Sequence, residues 1–310
     1  MRVAVIDCGT NTFNLLIAEV SAGKWKPLFR NKIAVKLGKG GINQGTIRRE
    51  RMARGLDALN VHYQTMLSYD VHKSVVFATS AMREAANASV FINKAREHFG
   101  FEVIVIDGHR EAQLIFEGVR QSFTLEDEYV TIMDIGGGST EFIIANHEDV
   151  AWKTSTPLGV SRIYDLIEPD DPLSEDDLSR MTAYFKEHLQ PLQDALKQYP
   201  SSHLIGASGS FDTLVDIVGY RTDKRFVRAP FNAIELSDFN AIHSEILKLD
   251  RSERLLIDGM LPLRVDYMPL ATSLIQHVLL QNGYKRLSQS EYAMKEGIIG
   301  EIVEEKLSLE

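Results

Sequence analysis

The residues of this chain best suited to chemistry fall in two short turns of like composition. One reads Asp7-Cys8-Gly9-Thr10-Asn11-Thr12, the other Asp134-Ile135-Gly136-Gly137-Gly138-Ser139. Glycines let a backbone curl until several N–H groups point at one anion, since no Cβ blocks the approach. The hydroxyls of Thr10, Thr12, Ser139 and Thr140 and the amide of Asn11 add donors. Such a turn can hold phosphate with few cations. Asp7 and Asp134 occupy the same place in each turn. Their oxygens suit Mg2+, an ion that keeps several of its waters. Each Asp could equally cap its own turn.

Three further features could join them. Glu111 follows Asp107-Gly108-His109-Arg110 at the head of an apolar-striped helix. A base that orients water would occupy such a position, and so would a carboxylate favoured only by the helix dipole. Arg83 lies just after a strand, in Ala78-Thr79-Ser80-Ala81-Met82-Arg83. A guanidinium fork matches phosphate oxygens at two points; a surface arginine is the alternative. The loop Gly206-Ala207-Ser208-Gly209-Ser210 precedes a helix and adds Gly206, Ser208 and Gly209 as phosphate-binding candidates. The nine histidines show no metal-type spacing, which argues against zinc. Cys8, the only cysteine, reads as a small buried residue rather than a nucleophile.

The turns belong to an internal repeat. Residues 3–18 (VAVIDCGTNTFNLLIA) align without gaps on 130–145 (VTIMDIGGGSTEFIIA) at an offset of 127. Each unit reads as a β-hairpin with a wide Gly-containing turn. Two such units, each opening a stretch of domain size, predict duplicated halves facing each other across a cleft. Between them the pattern alternates. Strands are expected at Ser74–Thr79 and Phe101–Ile106, and helices at Met82 to about Ala95, Glu111–Gln121 and near Phe211–Val218. Further helical patterns cover roughly 48–68, 174–198, 237–248, 269–282 and 291–307, with Ser174 and Asp177 set to cap the second. This mixture indicates α/β layers. The break between halves is expected at Thr124–Glu128.

The bulk properties are those of an ordinary globular chain of two domains: 310 residues, 44% hydrophobic, 25% charged. No apolar run reaches the roughly 20 residues that span a bilayer. The N-terminus opens directly into a strand, without the features of a secretory signal. With a single cysteine no internal disulfide can form, which suits a reducing cytoplasm. The net charge is −9, yet residues 21–54 carry ten Lys or Arg against one acid, Glu50. This sector is either a solvated basic face or, through Lys32, Lys36 and Lys39, a path for a polyanion. The acidic balance elsewhere argues against a nucleic-acid partner.

Taken together, these pieces resemble the exopolyphosphatase and guanosine pentaphosphate phosphohydrolase family, within the actin, sugar-kinase and Hsp70 superfamily. The matching stretches are VAVIDCGTNTFNLLIAEV (3–20), ATSAMREAANASVFI (78–92), IDGHREAQLIFEGV (106–119), IMDIGGGSTEFIIA (132–145), PLGVSRI (157–163) and IGASGSFDTL (205–214). RVDYMPLA (264–271) and SEYAMKEGII (290–299) also fit, so the resemblance runs through nearly the whole chain.

The resemblance implies a two-domain actin-like α/β fold. Its halves would be 1–124 and 125–290, with a terminal helix near 291–310 packed back on the first and the active site in the cleft. It implies that Glu111 activates water and that Asp134 and Glu141 serve metal binding and catalysis. Asn11, Arg83 and Gly136–Ser139 would bind phosphate, beside the turn residues Gly9, Thr10 and Thr12 already singled out. It implies Mg2+ and hydrolysis of inorganic polyphosphate, or alternatively of the 5′ γ-phosphate of guanosine pentaphosphate. A sugar or acetate kinase and a non-catalytic polyphosphate or alarmone sensor are the rivals. No membrane partner is expected, and a homodimer remains open. Arg110, Gln113 and Asn14 depart from the family pattern, so substrate contacts could differ. The length of 310 implies a short form without the C-terminal domains of longer members.

Overall fold

The computed structural model describes residues 1–307. The chain opens with the strands β1 (Arg2–Cys8), β2 (Thr12–Ser21) and β3 (Lys24–Ala34). It continues through α1 (Arg49–Ser68), β4 (Lys73–Ala78), α2 (Ser80–Glu84), α3 (Ala88–Phe99), β5 (Val103–Val105) and α4 (Gly108–Ser122). A second series begins in the same way, with β6 (Val130–Ile135), β7 (Thr140–Ala145) and β8 (Val150–Thr156). Then come α5 (Val160–Ile167), α6 (Glu175–Gln198), β9 (His203–Ala207), α7 (Gly209–Thr222), β10 (Phe231–Ile234), α8 (Leu236–Lys248), α9 (Arg251–Arg254), α10 (Met268–Asn282), β11 (Arg286–Ser290) and α11 (Met294–Val303).

The strands form two sheets, ordered β3-β2-β1-β4-β5 and β10-β11-β9-β6-β7-β8. The repeat read from the sequence is therefore a repeat of topology. In each sheet an antiparallel meander (β1-β2-β3 or β6-β7-β8) continues into parallel neighbours of its first strand. In register, Asp7 faces Asn14 and Asp134 faces Glu141.

Both faces of each sheet are covered, and the period-two side-chain alternation sorts residues between layers. Val3 and Val5 of β1 turn inward to a core shared with Ile132, Ile143 and Ile205 of the other sheet and with Leu114, Ile115, Ile298 and Ile299 of α4 and α11. Ala4 and Ile6 turn the other way, toward Leu59 and Phe91 of α1 and α3. Met133, Ile135 and Phe142 pack against Phe185, Phe211 and Leu274 of α6, α7 and α10. The two helices α4 and α11 thus lie between the sheets. They cross closely enough that a Cβ on Gly297 would sit 1.9 Å from the carbonyl oxygen of Leu114, and one on Gly118 1.9 Å from that of Ala293.

Several expectations shift at the boundaries. The single helix expected from Met82 to Ala95 is two, α2 and α3. The chain is extended at Ala85. There the amide of Ala86 bonds to Gly45 O, and the Asn87 side chain brackets both the N–H and the carbonyl of Ile47. Helix α4 begins at Gly108 rather than Glu111, because the Asp107 carboxylate accepts from the amide of Arg110 at 2.7 Å and caps it. The strand expected over Phe101–Ile106 is the shorter β5. The basic stretch 24–34, not anticipated as a strand, is β3. The Ser174–Asp177 capping box at α6 is present. Helix α11 covers less than the terminal pattern suggested, and 308–310 lie outside the described residues.

Candidate active site

The two turns have the same closing bond: Gly9 N–H donates to Thr12 O at 3.1 Å, and Gly136 N–H donates to Ser139 O at 2.9 Å. They also touch. A Cβ on Gly137 would lie 2.9 Å from both Thr10 Cβ and Asn11 Cγ, and one on Gly138 would lie 2.3 Å from Ser80 Oγ. Only glycine permits this approach. Between the turns remains a pocket of about 80 Å3. Gly9 to Thr12 and Gly136 to Ser139 line it, together with Asp7, Asp134, Glu111 and Glu141.

The electrostatics of these carboxylates follow from enclosure. Burial pushes Asp134 up to about 7, helped by the charges of Glu141 and Asp7, against the pull of Lys295 and a hydrogen bond from Ser208. Asp7 is raised by burial, although Lys295 and the Asn14 amide, which donates to Asp7 Oδ2 at 2.9 Å, act the other way. Glu111 stands well above the ordinary carboxylate range, by burial first and then by the charge of Glu141. Glu141 is raised by burial as well, while hydrogen bonds from Ser155 (2.6 Å) and Ser139 stabilise its charged form. Enclosure thus disfavours the charged forms of these carboxylates, and their mutual repulsion adds to it at Asp134 and Glu111.

Glu111 is 8% exposed and reaches the pocket from the first turn of α4. Arg83 is bonded to it. Its Nη1 donates to Glu111 Oε2 at 2.9 Å and to Ile106 O at 3.0 Å. Arg83 is not among the residues lining the pocket. It borders an adjoining space of about 380 Å3 with Gly108, His109, Ser139 and Ser155. Arg110 and Gln113 also lie away from the pocket and brace α4. Arg110 makes a bidentate ion pair with Glu301 of α11, and Gln113 accepts from Lys153 of β8 at 2.5 Å.

Of the third loop, Ser208 lines the pocket, while Gly206 lies within β9 under the ring of Phe211 and Gly209 starts α7. Ser208 holds φ 71°, ψ −177°, a region essentially reserved for glycine. From it the hydroxyl bonds Asp134.

Four cationic or polar groups escaped the sequence reading as site residues. Arg264 is 7% exposed, lines the pocket, rests on the backbone of Gly209 and has no partner for its buried Nε. Its only sequence signal was the RVDYMPLA match. Lys295 and Asn14 both act on Asp7, one by charge and one by hydrogen bond. Arg162 touches the carbonyl of Gly138. The basic sector is partly consumed by pairing. Arg30 meets Glu291 at 3.0 Å and Glu296 at 3.3 Å. Lys36 meets Asp266 at 3.6 Å and lies over the Tyr267 ring. The Lys32 ammonium is pushed down to about 8 by desolvation first and then by Arg264.

Asp7 and Asp134 offer hard oxygen donors at the pocket, and a cation there would favour their charged forms. Among the described residues, no three His, Cys, Asp or Glu side chains gather closely enough to ligate an ion by themselves. An ion that keeps several waters and takes one or two carboxylates beside substrate phosphates fits this donor set.

Comparison with known proteins is consistent across the chain. The model of the Ppx/GppA phosphatase family matches residues 16–306. The crystal structure of an exopolyphosphatase from Cytophaga hutchinsonii is 39% identical and superposes with a TM-score of 0.94, covering 98% of each chain. The Aquifex aeolicus member of the Ppx/GppA family shares the fold, with a TM-score of 0.79 at 22% identity over 99% of each chain. A guanosine-5′-triphosphate,3′-diphosphate pyrophosphatase of Photobacterium profundum is 27% identical over 300 residues, which is 97% of this chain. The chain spans 59% of that relative's length. Among the described residues no helix is long and apolar enough to cross a membrane.

Proposed function

The chain belongs to the Ppx/GppA phosphatase family, and from that premise we propose that it hydrolyses the terminal phosphoanhydride of inorganic polyphosphate. One observation carries the reading: both Gly-rich turns and the Glu111 carboxylate border a single small pocket. The Cytophaga protein, an exopolyphosphatase, matches over 98% of its length, which supports polyphosphate as the substrate. We take 1–124 and 125–290 as the two halves of an actin-like fold, with α11 returning to the first and the pocket as their cleft.

In this reading the N–H groups of the turns, the hydroxyls of Thr10, Thr12 and Ser139 and the Asn11 amide hold the terminal phosphates, and Arg264 supplies a fixed positive charge. Asp134, with Asp7 opposite, would hold Mg2+, which offsets phosphate charge when bound. Glu111 orients the attacking water and takes its proton as the new P–O bond forms. The P–O bond to the rest of the chain breaks, and orthophosphate and a chain one unit shorter result. Phosphoryl transfer depends mostly on positioning and charge stabilisation, and the bond from Arg83 fixes where Glu111 points. The cytoplasm is the proposed setting, which the buried free thiol of Cys8 suits.

The second reading is 5′-phosphohydrolysis of guanosine pentaphosphate, favoured by the name of the Photobacterium relative. Orthophosphate release from both compounds, with and without Mg2+, tests the proposal. Release from polyphosphate without any acceptor supports it and excludes a kinase. A higher kcat/KM on guanosine pentaphosphate favours the second reading. Tight binding without release would mark a sensor.

A further inference from the structure

Arg162, on α5, is 9% exposed and uses its guanidinium in three directions. Nε donates to Gly138 O of the second turn at 2.9 Å. Nη1 reaches Asn43 Oδ1 at 3.4 Å, and the Asn43 amide returns a bond to Arg162 O at 3.2 Å. Nη2 donates to Glu84 Oε2 at 2.5 Å. Glu84 ends α2, a five-residue helix whose start is Ser80, and Ser80 Oγ donates to Glu84 Oε1 at 2.8 Å. The residue before Glu84 is Arg83, which holds Glu111.

These contacts form one continuous path: Gly138, Arg162, Glu84, α2, Arg83, Glu111. Its first two members belong to the second series of elements and the last four to the first series. A buried guanidinium with one carboxylate partner is sensitive to loss of that partner, because it is left charged and unpaired. A single turn of helix gives α2 little stiffness of its own, and its last residues are fixed by what their side chains bind.

We propose that Arg162 and Glu84 are positioning residues that make the placement of Glu111 conditional on docking of the second turn against α2. When Gly138 and Arg162 sit against α2, Glu84 anchors its end and Arg83 is aimed. When they part, Glu84 keeps only its bond from Ser80 within α2, and the end of α2 that carries Arg83 loses its anchor to the second series. The water-orienting carboxylate is then competent only in the arrangement that also clamps the phosphate. This inference rests on the role given to Glu111 above and adds the residues that control it.

The test is steady-state phosphate release by Glu84→Ala, made in the wild-type chain and in Glu111→Gln, on whichever substrate the wild type turns over. In the wild-type background kcat should fall by about ten- to a hundredfold, the scale of a small misplacement of a catalytic group. KM should stay within about twofold. In the Glu111→Gln background the same substitution should cost nothing further. A role confined to holding the fold together would cost the same factor in both backgrounds, and that result overturns the proposal, as does unchanged kcat or an effect on KM alone. Should Glu84→Ala not fold, Glu84→Gln keeps a neutral hydrogen bond to Arg162 and carries the same test with a smaller loss. Wild-type turnover by Glu111→Gln would instead remove the functional reading itself, so the two failures are distinct.

Discussion

Arg83 Nη1 donates to Glu111 Oε2 at 2.9 Å, so the guanidinium and the carboxylate considered separately in the sequence are partners. The bond joins the end of α2 to the head of α4 across residues 28 apart in the chain. It also leaves Arg83 outside the small pocket, in the adjoining space that Ser139 borders.

Glu111→Gln should leave the fold intact and lower kcat by about 10²–10⁴-fold, the usual contribution of a general base. Arg83→Gln should also lower kcat, with KM little changed, because the Arg83 bond holds the Glu111 carboxylate in place. A large rise in KM with kcat preserved would show that Arg83 binds phosphate directly instead.

Ser208 occupies a backbone region that costs a side-chain-bearing residue of order 1–3 kcal/mol. Ser208→Gly should therefore raise stability by about 1 kcal/mol after the added chain entropy of glycine. It should lower kcat, because the hydroxyl that bonds Asp134 is gone. Thermal melting and turnover measured on the same sample check both signs. A less stable variant would show that the lost bond to Asp134 outweighs the relieved strain.

Gly297→Ala should destabilise by about 3 kcal/mol, the upper end of the range of overpacked cores, since its Cβ would lie 1.9 Å from a backbone oxygen of α4. The denaturation midpoint reads this directly. A neutral substitution would mean that α4 and α11 separate easily.

His203 is 5% exposed, and burial first, then Arg286, pulls its pKa down to about 4. The unfolded chain, with an ordinary pKa near 6.5, binds the extra proton between about pH 4 and 6.5. Stability therefore rises with pH across that window and is lost as pH falls through it. The His203 share is at most about 3 kcal/mol. The difference in unfolding free energy between wild type and His203→Gln, taken at about pH 7 and about pH 4.5, measures it. An unchanged difference would show that the imidazole titrates normally when folded.

Much of the site was legible locally. Asp7, Asp134 and the glycines between the strands declare themselves because turn chemistry depends on neighbours a few residues away. The match of 3–18 with 130–145 carried the duplicated topology, and even its mismatch has meaning: where the second unit has Glu141, the first has Asn14. Gly206 and Gly209 were legible as a loop, yet the structure gives their space to Phe211 and Arg264. The split between α2 and α3 was not legible, because Asn87 is bound by Ile47, 40 residues away.

The sequence by itself determined most of the elements, the two anion-type turns and the candidate carboxylate at Glu111, since periodicity and glycine placement are short-range properties. Only the tertiary structure decided that the turns touch through Gly137 and that Gly138 packs on Ser80. It alone brought a buried Arg264 to the pocket, paired Arg83 with Glu111 and joined Arg162 to Glu84. Those are contacts between chain-distant residues, and they exist because α4 and α11 bury one face of each sheet and hold both meanders against a common layer. No local pattern encodes which side chains that packing will bring together.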